Sequence, residues 1–201
     1  MVERYNIAFA LHWSGFNSPQ VHMKQKGKWQ INESKEIYKN PWITVIEENG
    51  TRPDGQSGSH VLILYKPGVA VLPMDDEGNV YLNREYRFAI ESTSIETVAG
   101  GIEEGDSPLA AAKKELGEEL GIEASEWIDL GTFHHLTETV FSPSQLFIAK
   151  GLTFKKSHIE GTEDIEMIKM PLNDAVEKVL SGEINFAIAG LLILIAAKKM
   201  L

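Results

Sequence analysis

AGGIEEGDSPLAAAKKELGEELGI, residues 99–122, passes from a glycine-rich turn into a short helix crowded with carboxylates. Ser107 suits the N-cap, Pro108 the first helical position, and Gly121 is placed to end the helix in a left-handed turn. Leu109, Ala112, Leu116 and Leu120 fall on one stripe at helical spacing, the pattern of a core-facing side. Glu115, Glu118 and Glu119 share a different arc, where residues three and four apart are neighbours. In isolation this would be a poor helix. Like charges at that spacing cost about 0.2–0.5 kcal/mol per pair, and Gly117 costs about 1 kcal/mol relative to Ala. A hard divalent cation such as Mg2+ would remove the conflict, because it takes oxygen ligands from a few carboxylates and keeps waters for a phosphate. Three glutamates by themselves read first as a solvated acidic face.

The flanking residues decide between these readings. The stretch resembles the Nudix box, G-x5-E-x7-R-E-U-x-E-E-x-G-U with U apolar. Gly100, Glu115, Leu116, Glu118, Glu119, Gly121 and Ile122 match it. Asp106 stands where the pattern has Glu, and Lys114 where it has Arg. Lysine is a point charge, whereas arginine presents a planar fork that orients a carboxylate bidentately, so Lys114 bears on catalytic strength more than on fold. The resemblance implies an α/β (α+β) architecture, the Nudix fold: a mixed β-sheet sandwiched between helices, here with an N-terminal antiparallel β segment. It also implies a metal shell of Mg2+ or Mn2+ held by Glu115, Glu118, Glu119 and the Ala99 carbonyl. Glycines beside that carbonyl let the main chain approach an ion closely.

The chain has 201 residues, 43% hydrophobic and 24% charged, with a formal net charge of −10 and no cysteine. That length suits one domain with an appendage. The negative charge argues against a broad nucleic-acid surface. Without cysteine there is no disulfide framework, thiolate metal site or cysteine nucleophile, which is compatible with a reducing cytoplasm. The apolar run Phe186–Ala197 has twelve residues and as a helix would span only about 18 Å. A bilayer presents roughly 30 Å of hydrocarbon, so a buried core helix is expected instead.

Residues 1–28 match nothing recognisable, with turns expected at Ser14-Gly15 and Asn17-Ser18-Pro19. A genuine extension that packs on the domain and a start at Met23 are both open readings. Residues 29–65 form a β segment, with strands expected at Pro41–Ile46 and Val61–Tyr65 and a turn at Arg52–Gly55. Trp29–Trp42 resembles the N-terminal portion of the ADP-ribose pyrophosphatase branch, where such a segment contributes to a homodimer and helps form the nucleotide site. The resemblance makes Trp42 or Tyr38 a candidate for stacking on a base; packing is the competing role.

Residues 66–201 form the catalytic domain. Gly68–Pro73 reads as a buried strand, followed by a turn at Asp75–Asn79 and a strand from Val80 to Asn83. Arg84-Glu85-Tyr86-Arg87 resembles a substrate-contacting segment of the same branch, and an arginine fork can hold a phosphate. Arg87 and Arg84 are therefore candidate substrate contacts, with surface ion pairs as the alternative. Strands are expected at Trp127–Phe133, Gln145–Ala149 and Ile165–Met170. Two helices follow, the first from an Asn173 cap to Gly182 and the second from an Asn185 cap.

The loop after Phe133 departs from the branch. Thr137 and Ser142 stand where typical members carry a proline and a water-activating glutamate. Glu138 lies in the same loop and substitutes for that glutamate only if the loop folds inward. His134 and His135 open the loop, and on a strand at most one of them faces a site.

The function implied is metal-dependent hydrolysis of the pyrophosphate in a nucleoside diphosphate linked to X, with ADP-ribose or a nucleotide sugar as substrate. Catalytic candidates are Glu118, Glu119 and Glu138. The implied partners are a small nucleotide and a second copy of the chain, with neither nucleic acid nor membrane. Two alternatives remain: a Nudix enzyme acting on nucleoside triphosphates or dinucleoside polyphosphates, and a non-catalytic sensor of nucleotide sugars.

Overall fold

The computed structural model describes residues 24–155 and 165–200. The turns expected at Ser14-Gly15 and Asn17–Pro19 lie outside them. The chain divides into two compact units, Met1–Ile63 and Leu64–Leu201.

In the first unit, β1 (Lys24–Lys26), β2 (Trp29–Lys39), β3 (Ile43–Thr51) and β4 (Ser57–Tyr65, all but its last two residues) are neighbours in that order. β1 with β2, and β2 with β3, run antiparallel. Gly50 is required here, since a Cβ would meet the Gln30 carbonyl oxygen at 2.4 Å. The expected turn after β3 is closed by Gly55 N–H donating to the Arg52 carbonyl at 2.9 Å. The strand expected from Pro41 begins only at Ile43. The Asn40 side-chain oxygen accepts from the backbone N–H of Trp42 and of Ile43, at 2.9 and 2.8 Å. This short-range bonding by Asn builds a turn. Trp42 therefore sits in a bend, 68% exposed, rather than in a strand.

The second unit begins with β5 (Gly68–Pro73), β6 (Asn79–Arg87), β7 (Ser92–Glu96) and β8 (Val98–Gly101). Helix α1 (Pro108–Leu120) follows, then β9 (Ile122–His134), β10 (Val140–Phe141) and β11 (Pro143–Phe154). β12 (Glu166–Pro171), α2 (Leu172–Leu180) and α3 (Ala187–Met200) complete it. One sheet has the order β8-β5-β11-β9, with β5 and β11 parallel and the other pairs antiparallel. A second sheet has the order β12-β6-β7 and is antiparallel. The expected mixed sheet between helices is present.

Alternation along β5 explains the layering, because successive side chains point to opposite faces of a strand. Val69 and Val71 join Ala111, Ala112, Leu116 and Leu120 of α1 in one core. Ala70 and Leu72 join Ile188, Leu192, Ile193 and Ala196 of α3 in the other. The apolar C-terminal run is thus a core helix as expected. Among the described residues no helix is long and apolar enough to cross a membrane.

Two expected caps are corrected. α2 starts at Leu172, so Asn173 lies inside its first turn and the N-cap position is Pro171, without a side-chain bond. The Leu172 N–H instead donates to the Gly78 carbonyl at 3.0 Å, so a neighbouring turn satisfies the helix end. α3 begins at Ala187, two positions past Asn185, and the Phe186 carbonyl accepts from Gly190 N–H at 3.0 Å.

Candidate active site

The box helix begins and ends as its sequence dictates. Ser107 is extended, and its side chain accepts from the Ala110 N–H at 3.2 Å, with Pro108 at the helix start. Gly121 adopts φ 63°, and its N–H reaches the Gly117 and Leu116 carbonyls. Leu116 is fully buried and Leu120 nearly so. Each contributes about 1.5–3 kcal/mol by burial, more than the like-charge pairs and Gly117 take away. Tertiary packing therefore carries a helix that its surface chemistry disfavours.

That packing aims the carboxylates. Glu115 and Glu119, one turn apart, both turn toward β8. A Cβ on Gly100 would lie 2.0 Å from the Glu115 carboxyl carbon and 2.2 Å from its Oε1, so the missing side chain at Gly100 is the space that Glu115 fills. One oxygen of Glu119 accepts from the Ala99 backbone N–H at 3.4 Å. The other accepts from the Asn83 Nδ2 at 2.9 Å. Glu118, on the same helix, has Lys114 Nζ at 3.9 Å in a half-exposed pair.

Behind Glu119 lies a second charged group. Arg87 forks onto Glu96, with Nε to Oε1 at 3.1 Å and Nη2 to Oε2 at 2.7 Å. Its Nη1 also meets Glu85 at 3.0 Å. Glu96 is 5% exposed, so this is a buried carboxylate with its bidentate counter-ion. The Glu96 hydrogen bonds raise the Arg87 pKa against the opposing effect of burial, helped by the charges of Glu96, Glu85 and Glu119.

The remaining candidates have other surroundings. Arg84 pairs with Glu166 at 3.0 Å on an exposed edge. Glu138 is exposed in the loop between β9 and β10, as is Thr137. His135 Nε2 lies 2.8 Å from the Ser144 hydroxyl, and burial followed by the neighbouring His134 charge lowers its pKa. Trp42 belongs to the first unit.

Asn83, Glu85 and Glu96 went unrecognised in the sequence. Asn83 carried a usable signal: it follows Val80-Tyr81-Leu82, a run that becomes fully buried strand, and is itself 1% exposed. Its Oδ1 and the Thr97 hydroxyl are buried and have no hydrogen-bond partner among the described residues. A buried unsatisfied polar group costs about 1–3 kcal/mol.

Among the described residues no three Asp, Glu or His side chains already converge as a metal shell. The donors nevertheless fit a hard cation. Two carboxylates from one helix face a glycine-flanked strand end, Glu115 in the space a Cβ at Gly100 would fill and Glu119 on the Ala99 N–H. Oxygen ligands of that kind suit Mg2+ or Mn2+.

The NUDIX domain family model matches residues 64–184. The chain is similar to the ADP-ribose pyrophosphatase of Bacillus subtilis, at 27% identity over 75% of this chain and 82% of that protein. It is also similar to the ADP-ribose pyrophosphatase of Mycobacterium tuberculosis, at 32% identity over 70% of each. The fold matches a crystal structure of an ADP compounds hydrolase with a TM-score of 0.77 at 20% identity, covering 88% of this chain and 96% of that one.

Proposed function

The chain belongs to the NUDIX domain family as a pyrophosphohydrolase, and we propose that its substrate is a nucleoside diphosphate linked to X, with ADP-ribose the first choice. The observation that carries the reading is the convergence of Glu115 and Glu119 on the Ala99–Gly100 strand end. The names of the B. subtilis and M. tuberculosis relatives support the choice of ADP-ribose.

Members of this family generally use divalent metals. Here Glu115, Glu119 and the Ala99 carbonyl, with Glu118, would hold Mg2+ or Mn2+. When bound, such an ion neutralises the pyrophosphate and lowers the pKa of water. The chain supplies the rest. The α1 core fixes the two carboxylates, and Gly100 leaves Glu115 its place. Glu118, half-buried on the same helix, is the proposed general base, and Glu138 is the alternative on the loop. Water adds across one P–O bond of the anhydride and its proton passes to the base. From ADP-ribose the products are AMP and ribose 5-phosphate.

Arg87 is the proposed phosphate contact: the fork on Glu96 holds the guanidinium in place, and the phosphate would compete with Glu85 for Nη1. Arg84 and Trp42 are proposed as further substrate contacts on the family resemblance alone. The same resemblance supports a homodimer built through the first unit, and the lack of cysteine is compatible with a cytoplasmic setting.

Product analysis tests the substrate. ADP-ribose, nucleotide sugars, NADH and nucleoside triphosphates are each incubated with Mg2+ and with Mn2+. AMP released fastest from ADP-ribose is the expected result. Asp106 and Lys114 depart from the box pattern and favour the second reading, a nucleotide-sugar sensor. Tight ligand binding without product for any substrate would replace the enzyme with it.

A further inference from the structure

We propose that Asn83 is a positioning residue, which holds the Glu119 carboxylate in its metal-binding orientation by donating from its side-chain amide. The inference rests on the reading that Glu119 is a metal ligand, and it concerns a residue outside the box, on a different element.

Three observations carry it. Asn83 Nδ2 donates to Glu119 Oε2 at 2.9 Å, across a separation of 36 residues from β6 to α1. The other Glu119 oxygen has the longer bond from the Ala99 N–H, at 3.4 Å. Asn83 is therefore the stronger of these two restraints on the carboxylate. The orientation of the amide follows from chemistry, because turning it over would set Oδ1 against a carboxylate oxygen, acceptor against acceptor.

The second observation is the cost of that orientation. With Nδ2 committed to Glu119, Oδ1 is buried and, among the described residues, has no hydrogen-bond partner. The third is the location. Asn83 closes the buried run of β6 that begins Val80-Tyr81-Leu82. Tyr81, two positions earlier and therefore on the same face of the strand, packs in the core of α1. A leucine has nearly the shape of asparagine, would continue that packing, and would leave no orphaned oxygen. A sequence selected for stability alone would place an apolar side chain here. The amide is explained if its contact with Glu119 is what matters, as is general for outer groups that orient metal-ligating carboxylates.

The test measures metal binding directly, by electron paramagnetic resonance of free Mn2+ titrated into the full chain, beside thermal melting of the same samples. Wild type, Glu119→Gln, Asn83→Leu and Asn83→Ser are compared. Wild type is expected to bind Mn2+ and Glu119→Gln to lose most of that binding. Asn83→Leu is expected to bind about tenfold more weakly, while melting no lower than wild type. A purely structural Asn83 could not give that pair of results. If the leucine variant fails to fold, Asn83→Ser, too short to reach Glu119, carries the same expectation for affinity. Wild-type affinity in a folded Asn83 variant, with binding lost in Glu119→Gln, overturns the inference and leaves the metal reading standing. Unchanged binding in Glu119→Gln overturns both.

Discussion

Helix α1 and the loop between β9 and β10 both bring glutamates forward as catalytic candidates, and they treat those glutamates in opposite ways. Glu115 and Glu119 are set against β8 by a packed core, a vacant Cβ position at Gly100, and hydrogen bonds from Ala99 and Asn83. Glu138 is exposed, and among the described residues it makes no hydrogen bond or ion pair. Catalytic geometry must hold to a fraction of an ångström. A helix whose opposite face is buried can meet that demand without substrate. An exposed loop residue meets it only by moving.

The largest effect that would break this contrast is at Glu119. Glu119→Gln keeps the shape and hydrogen-bonding capacity but removes the charge, and turnover should fall by more than about a hundredfold, beyond the usual loss for outer-sphere groups. Steady-state kinetics over a Mg2+ series checks it, with melting to show that the fold persists. Gly100→Ala comes next. Its Cβ would displace the Glu115 carboxylate rather than backbone, so the fold should survive while kcat drops by about a hundredfold, the scale for misplacing a group by an ångström.

Ser107→Ala separates stability from chemistry. Loss of the cap should cost about 1 kcal/mol in urea unfolding, with kcat unchanged. The smallest effect is expected at Asp75, which is not one of the proposed metal ligands. Burial raises its pKa, but bonds from Lys169, Asn79 and Tyr81 outweigh that and hold it below the usual carboxylate range. A carboxyl depressed in the folded state contributes stability fully present above its unfolded value, near pH 4. That contribution is lost as pH falls through the folded value. Asp75→Asn should therefore be less stable than wild type at neutral pH, and the gap should close in acid, as read by melting at a series of pH values.

The parts of this molecule legible in sequence are those whose cause is local. The cap, the proline and the terminal glycine of α1 lie within the helix or beside it, and its apolar stripe repeats at helical spacing. The strand Gly68–Pro73 was bounded correctly because Pro67 precedes it and its apolar run is continuous. Trp42 differs from its expected strand because Asn40-Pro41 is a turn signal next to the apolar and β-branched residues that suggest a strand, and the Asn40 side chain builds the bend. The α2 cap could not be read, because the Leu172 N–H is satisfied by Gly78, which is remote in sequence. The burial of Asn83 is legible from the run before it, but the roles of Glu96 and Asn83 are hidden for the same reason. Their meaning comes from pairing Asn83 with Glu96 across β6 and β7 and from the approach of α1, neither of which a local pattern contains.

The most direct test of the contrast is a side-by-side measurement of kcat for Glu118→Gln and Glu138→Gln at saturating Mg2+ and ADP-ribose. The fixed helix is predicted to carry the base, so Glu118→Gln should lose about a hundredfold or more, the usual scale for a general base, and Glu138→Gln less than about tenfold. The reverse order would place the base on the loop and contradict the account.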